Sequence, residues 1–337
     1  MNCKRIVFTE PGVAELLDYD PGAPEKDEVQ VRLAVSAISS GTERANLIGD
    51  RTLAWDKPER EASFPRYLGY SSAGVVEKVG ADVTGFQAGD RVALSWSTHS
   101  EVQNIKEKNV HKLDDDISFS DGAMAHIATF PLAALRKCRL EIGESAIVMG
   151  LGILGITALQ LLRAAGAVPV IAVDPEPKKR EIAKKIGADY ALDPFAPDFV
   201  QTVKALTDGG ANVAIEVTGN GGALNQVLDC MARFGRVALL GCTRDSNFTV
   251  DYYRKVHGPG VTLIGAHTNA RPKTDSYGGW WTERDDFEAV LKLTKLGRIK
   301  LSDLVEEVHS PAEAHEIFGR LCVEKAFPLV QFDWRKL

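Results

Sequence analysis

The sequence lacks any closely spaced pair of cysteines. Five cysteines are scattered along the chain, at positions 3, 138, 230, 242 and 322, and no C-x-x-C motif occurs. This spacing argues against a disulfide framework and against a cysteine-rich zinc lobe. Scattered thiols are typical of a reducing compartment, and we therefore expect a cytoplasmic protein.

The sequence also lacks a long apolar run and an excess of basic residues. Its most apolar stretch, Ala146–Leu162, contains three glycines and is not expected to span a membrane. We expect no signal peptide, because the first ten residues have no apolar core of sufficient length. A net charge of -6 gives no reason to expect binding to nucleic acid or to an anionic membrane.

What remains is an enzyme-sized chain of 337 residues, long enough for two domains. The first 125 residues are predicted to be rich in β-strands, because short runs such as Val29–Val35 alternate in polarity between glycine- or proline-containing turns. From about residue 127 to 267, apolar strands alternate with amphipathic helices. The predicted strands are 147–149, 170–173, 213–217, 237–240 and 261–264, and helices are expected at 156–165, 178–186 and 223–232. This alternation predicts an α/β domain with a doubly wound parallel sheet.

A glycine-rich turn joins the first of these strands to its helix. Gly150, Gly152 and Gly155 form G-x-G-x-x-G, in which they allow a tight turn, close approach of a pyrophosphate and close packing of helix on strand. Ile153 and Leu154 belong to the same turn. The diphosphate of a dinucleotide is expected at the N-terminus of the helix. The glycines could also merely turn the chain.

Asp174 ends the next strand, 19 residues after Gly155. A carboxylate here accepts hydrogen bonds from ribose hydroxyls and repels a 2′-phosphate, which favours NAD over NADP. Lys179 and its basic neighbours follow closely and leave NADP possible. The alternative for Asp174 is a helix-capping role.

Later strand ends add candidate cofactor contacts. Thr218 and Gly241 follow two of the predicted strands, on the edge where such sheets bind ligands. Ala266 and His267 follow the last strand, where the nicotinamide is expected. Turn chemistry alone could also account for Thr218 and Gly241.

Several motifs together resemble those of the medium-chain dehydrogenase/reductase superfamily, which includes the zinc-type alcohol dehydrogenases. The motifs are Ser40-Gly-Thr-Glu43, Leu68-Gly-Tyr-Ser-Ser-Ala-Gly74, Gly89-Asp-Arg-Val92, the glycine-rich turn and Gly235-Arg-Val237. Within the superfamily, the chain is most similar to the branch of sorbitol dehydrogenase and bacteriochlorophyllide dehydrogenase. The resemblance implies a GroES-like catalytic domain of residues 1–126 and 268–337, a Rossmann domain of residues 127–267, and a homodimer or homotetramer.

The resemblance also implies a metal pocket with altered ligands. Zinc members take their ligands from a cysteine, a histidine and a glutamate or cysteine, and the matching positions here are Ser40, Tyr70 and His126. A serine hydroxyl and a phenol are poor zinc ligands. Only Ala93–His99 stands where a structural zinc lobe would be, and it contains no cysteine. We therefore expect no zinc.

The altered pocket still offers proton-active groups. Tyr70 is the candidate donor to a substrate oxygen, and His126 is the candidate proton acceptor. Thr42 matches the position of a proton relay in many relatives, and Ser40 could orient substrate or water. Each of these side chains could instead have only a structural role, with Tyr70 filling the volume of the metal.

Aromatic and histidine side chains suggest a substrate region. Trp96, His99, Trp280 and Trp281 fall in or near loops that line the cleft in this superfamily, and the connection 267–284 is long, polar and aromatic. Such residues suit a sugar or polyol, and equally a subunit contact.

These features predict an NAD-dependent, zinc-independent oxidoreductase that interconverts a secondary alcohol and its ketone. The small-molecule substrate would be a polyol, a sugar or a cyclic alcohol. Two alternatives remain: a quinone or enone reductase that uses NAD(P)H, and a catalytically silent NADH-binding protein.

Overall fold

A computed structural model describes residues 2–50, 63–243 and 245–337 of the chain. Contacts divide the described chain into two compact units, of which one consists of residues 128–286 and the other of the segments before and after it. None of the described helices has both the length and the apolar character that crossing a bilayer requires.

The strands and helices follow one another along the chain as follows. The strands are β1 (Cys3–Glu10), β2 (Val13–Tyr19), β3 (Glu28–Ala37), β4 (Ser71–Val79), β5 (Arg91–Ser95), β6 (Val102–Lys106), β7 (Val110–Lys112), β8 (Ala146–Met149), β9 (Val170–Val173), β10 (Tyr190–Leu192), β11 (Ala211–Glu216), β12 (Met231–Leu239), β13 (Thr262–Gly265), β14 (Glu307–His309) and β15 (Val330–Asp333). The helices are α1 (Ser40–Leu47), α2 (Phe119–Lys137), α3 (Ile153–Ala164), α4 (Pro177–Lys185), α5 (Phe199–Leu206), α6 (Gly221–Asp229), α7 (Glu283–Lys295) and α8 (Ala314–Val323).

The first unit is built on a mainly antiparallel sheet. Its strand order is β14-β15-β3-β4-β5-β7, with β6 paired to β3, and β1 and β2 form a separate hairpin. Strand β3 is buried along most of its length, because it pairs with β4, β6 and β15. The C-terminal strand β15 therefore completes the sheet that the first 112 residues begin. The GroES-like, β-rich domain that the sequence predicts is confirmed.

The second unit is a parallel sheet in the order β10-β9-β8-β11-β12-β13. Numbered from β8, this order is 3-2-1-4-5-6, the arrangement of dinucleotide-binding folds. Strands β8 and β9 are buried throughout, as expected for a sheet covered by helices on both faces. The ends of β8 and β11 are neighbours, which brings the glycine-rich turn beside the loop after β11. The doubly wound Rossmann prediction is confirmed.

Some element boundaries differ from those predicted. Strand β10 was not predicted, because Tyr190–Leu192 is short and lies at an exposed edge of the sheet. Helix α6 ends at Asp229, and β12 begins at Met231 instead of residue 237. The sequence Met231–Phe234 has mixed polarity, which resembles an extension of the helix, yet Met231 pairs with Ala211 at the start of β11.

The segment 268–286 groups with the second unit, whereas the sequence places it in the first domain. Arg271 explains the difference, because its guanidinium donates to the Thr129 carbonyl at 2.8 Å and lies 3.6 Å from the Asp286 carboxylate. Arg136 of helix α2 also donates to Asp286, which is fully buried. Burial raises the pKa of Asp286 to about 6 despite these cations. The segment is thus fastened to α2 within one unit.

Candidate active site

The backbone carbonyl of Tyr70 organises the candidate site of the first unit. This oxygen accepts a hydrogen bond from the Trp96 N–H at 2.9 Å and from His126 Nδ1 at 2.7 Å. Tyr70 directly precedes β4, Trp96 directly follows β5, and His126 lies on α2. Strands β4 and β5 are paired, with Ser71 opposite Ser95, so the pairing itself brings Tyr70 and Trp96 together.

Three rings meet at this carbonyl. The His126 ring centroid lies 4.7 Å from that of Trp96 and 5.6 Å from that of Tyr70, both edge to face. His126 is fully buried, whereas Trp96 is 46% exposed. Trp96 has φ of 58°, a left-handed conformation that is costly for a bulky residue and is concentrated at functional sites. All three residues are candidate site residues from the sequence, and the structure brings them together.

The bond from His126 to the carbonyl fixes the tautomer of the ring. A carbonyl oxygen can only accept, so Nδ1 carries the proton and the lone pair of the neutral ring is on Nε2. The basic nitrogen of His126 is therefore Nε2. A hydrogen bond that holds one ring nitrogen in this way defines which nitrogen of a histidine is reactive.

The phenol of Tyr70 donates its hydrogen bond to the hydroxyl of Ser39. Ser39 is not among the site residues that the sequence predicts. Ser39 immediately precedes α1 and is 3% exposed. No motif marks Ser39, because the family pattern draws attention to its neighbour Ser40. Ser40 is the first residue of α1, and Thr42 lies in the same turn, where its carbonyl accepts from Asn46 Nδ2 at 2.9 Å.

The sequence predicts that His99 borders the substrate, and the structure shows what its side chain contacts. Its side chain is fully buried, with Nε2 2.9 Å from Glu43 Oε2 and Nδ1 2.7 Å from Ser36 Oγ. The backbone around His99 pairs with Leu68 and Ile6, which turns the residue inward toward the core of the first unit. His99 therefore belongs to an internal polar network and not to an open surface.

The side chains at the expected metal positions do not fit a catalytic zinc. Such sites use thiolate, imidazole or carboxylate ligands, and the three matching positions carry the phenol of Tyr70, the hydroxyl of Ser40 and the imidazole of His126. The carboxylate in the neighbouring helix, Glu43, is already paired with His99. Among the residues described by the structure, no group of three or more histidine, cysteine, aspartate or glutamate side chains could hold a metal ion.

The second unit contains the predicted glycine-rich turn, and each glycine has a distinct environment. Gly150 has φ of 98°, which only glycine adopts without strain. A Cβ on Gly155 would overlap the carbonyl oxygen of Gly150, so this glycine allows helix α3 to pack on the turn. A Cβ on Gly152 would meet no described atom within 4 Å. The open side of Gly152, at the N-terminus of α3, fits the approach of a diphosphate.

Other predicted contacts line the same turn. Ile153 and Leu154 open helix α3, where Ile153 is buried and Leu154 is partly buried. Asp174 is 6% exposed, and its two oxygens accept from the Leu151 N–H at 2.8 Å and the Glu176 N–H at 2.9 Å. A carboxylate has about four lone-pair sites, so about two remain for ribose hydroxyls. Asp174 thus also ties the glycine-rich turn to the end of β9.

The loops after β11 and β12 meet closely at the carboxyl edge of the sheet. Glu216 is buried and accepts from the Thr218 N–H at 2.7 Å and from the Thr218 hydroxyl. Burial raises the pKa of the Glu216 carboxyl, and these bonds oppose the rise. Gly241 has no room for a Cβ, because one would overlap Gly219. Thr218 and Gly241 therefore have clear structural roles in shaping this edge.

The remaining predicted contacts differ in exposure. Lys179 lies in the first turn of α4. Ala266 is buried, with its N–H donating to the Leu239 carbonyl at 3.1 Å, and His267 is exposed directly after it. His267 Nδ1 accepts from the Asn269 N–H at 3.2 Å, which begins the turn toward the segment 268–286.

Trp280 and Trp281 lie in the second unit, and cations of helix α2 cover a face of each ring. The guanidinium of Arg136 lies 3.8 Å from the Trp281 centroid, and Nζ of Lys137 lies 4.8 Å from the Trp280 centroid. Burial lowers the pKa of Lys137 to about 8, and its Nζ donates to the Gly265 carbonyl at 3.2 Å. These contacts fasten both rings to α2.

Comparison with known proteins gives two family matches. Residues 25–139 match the family described as "Alcohol dehydrogenase GroES-like domain", and residues 154–294 match "Zinc-binding dehydrogenase". L-threonine 3-dehydrogenase of Thermococcus kodakarensis is 30% identical over 365 residues, covering 97% of this chain and 94% of the relative. D-guloside 3-dehydrogenase of Escherichia coli is 29% identical over 334 residues, covering 94% and 95%.

A solved structure shows the same fold at lower identity. The crystal structure of 2R,3R-butanediol dehydrogenase from Bacillus subtilis superimposes with a TM-score of 0.81 at 23% identity, covering 98% of this chain and 99% of that one. The similarity extends over both units and covers at least 94% of this chain in each of these proteins.

Proposed function

Since the chain belongs to the medium-chain dehydrogenase/reductase superfamily of alcohol-dehydrogenase-type oxidoreductases, we propose that it is a zinc-independent enzyme that interconverts a secondary alcohol and its ketone with NAD(H). The observation that supports the proposal is that His126 bonds through Nδ1 to the Tyr70 backbone carbonyl and stands edge to face with the Tyr70 ring, 5.6 Å between centroids. The proton-bearing phenol of Tyr70 and the basic Nε2 of His126 are the reactive groups that we propose. Both are proton-active side chains, and the family resemblance matches their positions to metal ligands of zinc members.

The residues divide the proton chemistry between them. In oxidation, His126 Nε2 accepts the proton of the substrate hydroxyl, and in reduction it returns that proton to the same oxygen. Tyr70 donates a hydrogen bond to the oxygen and stabilises the negative charge that develops there. The nicotinamide cofactor supplies or accepts the hydride. In this scheme the phenol and the imidazolium perform the polarisation that a zinc ion performs in other members.

The substrate that we propose is a ring-bearing secondary alcohol, such as a sugar or cyclic polyol. Trp96 supports this choice, because its ring is nearly half exposed and stands edge to face with His126. Aromatic faces pack against the C–H surface of a sugar ring. The D-guloside 3-dehydrogenase of Escherichia coli, a relative over nearly the whole chain, bears a sugar substrate in its name.

A paired substrate panel tests this function. We expect NADH oxidation with cyclohexanone or D-fructose and none with cyclohexenone or benzoquinone under the same conditions. Turnover of the enone and quinone alone would contradict the proposal and favour a quinone reductase. NADH binding without turnover of either panel would favour a silent dinucleotide-binding protein.

Cofactor preference depends on Asp174. The Asp174→Ser variant is expected to lose about tenfold or more of the preference for NADH over NADPH in kcat/KM, because the carboxylate that repels a 2′-phosphate is gone. Glu176→Gln is the matched control, since it removes a negative charge two residues away and should leave the preference unchanged. An unchanged preference in Asp174→Ser would assign Asp174 to the turn alone.

We also propose a cytoplasmic homodimer or homotetramer. Five free cysteines, three of them buried, are compatible with a reducing compartment. Superfamily membership supports the oligomer, and light scattering of the purified chain measures it directly.

A further inference from the structure

A chain of buried polar side chains lies behind Tyr70. Trp334 Nε1 donates to Ser36 Oγ at 2.9 Å, Ser36 Oγ lies 2.7 Å from His99 Nδ1, and His99 Nε2 lies 2.9 Å from Glu43 Oε2. Ser36, His99 and Glu43 are 0% exposed, and Trp334 is 3% exposed. Burying a histidine and a carboxylate is costly unless they are paired and hydrogen-bonded, and both partners here are fully bonded within the chain.

One arrangement of protons satisfies every atom of this chain. Trp334 can only donate, so Ser36 accepts from it. A carboxylate can only accept, so His99 Nε2 carries a proton toward Glu43. Ser36 then donates its own proton to His99 Nδ1. Each hydrogen bond of the chain therefore has a fixed donor and acceptor, from Trp334 through Ser36 and His99 to Glu43.

The second oxygen of Glu43 continues the chain to Ser39. Glu43 Oε1 accepts from the Ser39 N–H at 2.8 Å, and the Glu43 N–H donates to the Ser39 carbonyl at 2.9 Å. Glu43 thus holds the backbone of Ser39 on both sides. Among the described residues, the Ser39 hydroxyl makes no capping bond to helix α1. Its oxygen accepts from the phenol of Tyr70 instead.

We propose that Ser39 is a positioning residue for Tyr70, and that the buried Glu43–His99 pair holds Ser39 in place. The inference rests on the proposed function, in which Tyr70 acts on the substrate oxygen. A serine hydroxyl both donates and accepts. When Tyr70 turns its O–H toward the substrate, Ser39 donates to the phenolic oxygen, holds the phenol in place and polarises the O–H that stabilises the negative charge on the substrate oxygen. A hydrogen bond to a charged group is stronger than one between neutral groups.

A double-mutant cycle tests the proposal. Ser39→Ala is expected to lower kcat by roughly 10- to 100-fold, the range of one hydrogen bond to a charged group, with little change in KM. In the Tyr70→Phe background the same substitution is expected to have no further effect, because the hydroxyl it would support is gone. The probe is cyclohexanone or D-fructose, whichever is reduced faster, with NADH.

Ser97→Ala is the matched control. Ser97 is also buried, and its hydroxyl donates to the Gly69 carbonyl at 2.8 Å, next to Tyr70 but not to the phenol. Ser97→Ala should change kcat by the same factor in the wild-type protein and in the Tyr70→Phe variant. The cycle therefore separates a loss of local packing from a loss that passes through Tyr70.

Two results would overturn the inference alone: no change of kcat in Ser39→Ala, or an equal loss in both backgrounds. Full activity of Tyr70→Phe would overturn the proposed role of Tyr70 and the inference together. A third variant pair tests the Glu43 link. Glu43→Gln keeps an acceptor for the Ser39 N–H and Glu43→Ala does not, so Glu43→Ala should have the lower kcat only when Tyr70 is present. If kcat of Glu43→Ala stays below that of Glu43→Gln in the Tyr70→Phe background as well, Glu43 contributes to folding and not to the position of Tyr70.

Discussion

Replacement of Tyr70 with phenylalanine is expected to lower kcat by about 10²- to 10³-fold, the usual cost of removing one hydrogen-bond donor to an oxygen that becomes negatively charged in the transition state. The ring of phenylalanine keeps the edge contact with His126, whose centroid lies 5.6 Å away, and keeps the carbonyl that His126 and Trp96 share. The variant therefore removes the hydroxyl and little else. KM should change far less than kcat, because the loss falls on the transition state.

Tyr67→Phe is the matched control for this variant. Tyr67 lies three residues earlier, is 46% exposed, and has the guanidinium of Arg5 over its ring at 4.4 Å. Loss of its hydroxyl should leave turnover unchanged. If Tyr70→Phe also retains full turnover, Tyr70 only fills the space of the absent ligand, and the proposed chemistry is wrong.

Substitution of Gly152 with alanine is expected to weaken NADH binding by roughly 10- to 100-fold, as overpacking by one methyl group in a tight site costs about 1–3 kcal/mol. The protein itself should accept the change. Gly152 has φ of -71°, which any residue adopts, and a new Cβ would meet no described atom within 4 Å. Its position at the N-cap of α3 limits the loss of stability to about 1 kcal/mol. Fluorescence titration with NADH and urea unfolding measure the two quantities.

Two other glycines complete the comparison. Gly155→Ala should lower the free energy of unfolding, because its Cβ would overlap the Gly150 carbonyl. Gly319→Ala, in helix α8, adds a methyl group that meets no described atom within 4 Å and should leave binding unchanged. Unaltered NADH affinity in Gly152→Ala would mean that the glycine-rich turn serves the fold and not a diphosphate.

The cofactor half of the protein was predictable because local sequence determines it. A strand, three spaced glycines, a helix and a following acidic residue are contiguous features, and the order of the parallel sheet follows from right-handed crossovers. The structure adds what spacing cannot give. Asp174 bonds two backbone N–H groups, and Gly241 allows two loops to meet.

The catalytic half was only partly predictable, because its contacts join distant segments. Ser39 and Tyr70 are 31 residues apart, and His99 and Glu43 are 56 apart. A histidine near a loop looks like a surface residue until strand pairing places it in the core. Trp280 and Trp281 were predicted to border the substrate, whereas cations of α2 lie over their rings. In the candidate site, Trp96 is 46% exposed, whereas His126 is fully buried.

Turnover by this enzyme is expected to need no zinc, which can be tested by measuring metal content alongside turnover. Purified protein would be assayed for NADH-dependent reduction of cyclohexanone or D-fructose before and after dialysis against a chelator, with zinc quantified in the same samples. We expect unchanged turnover at far less than one zinc per chain and no gain when zinc is added. Turnover that falls with the zinc content and returns on its addition would show that the enzyme depends on zinc and would overturn the proposed function.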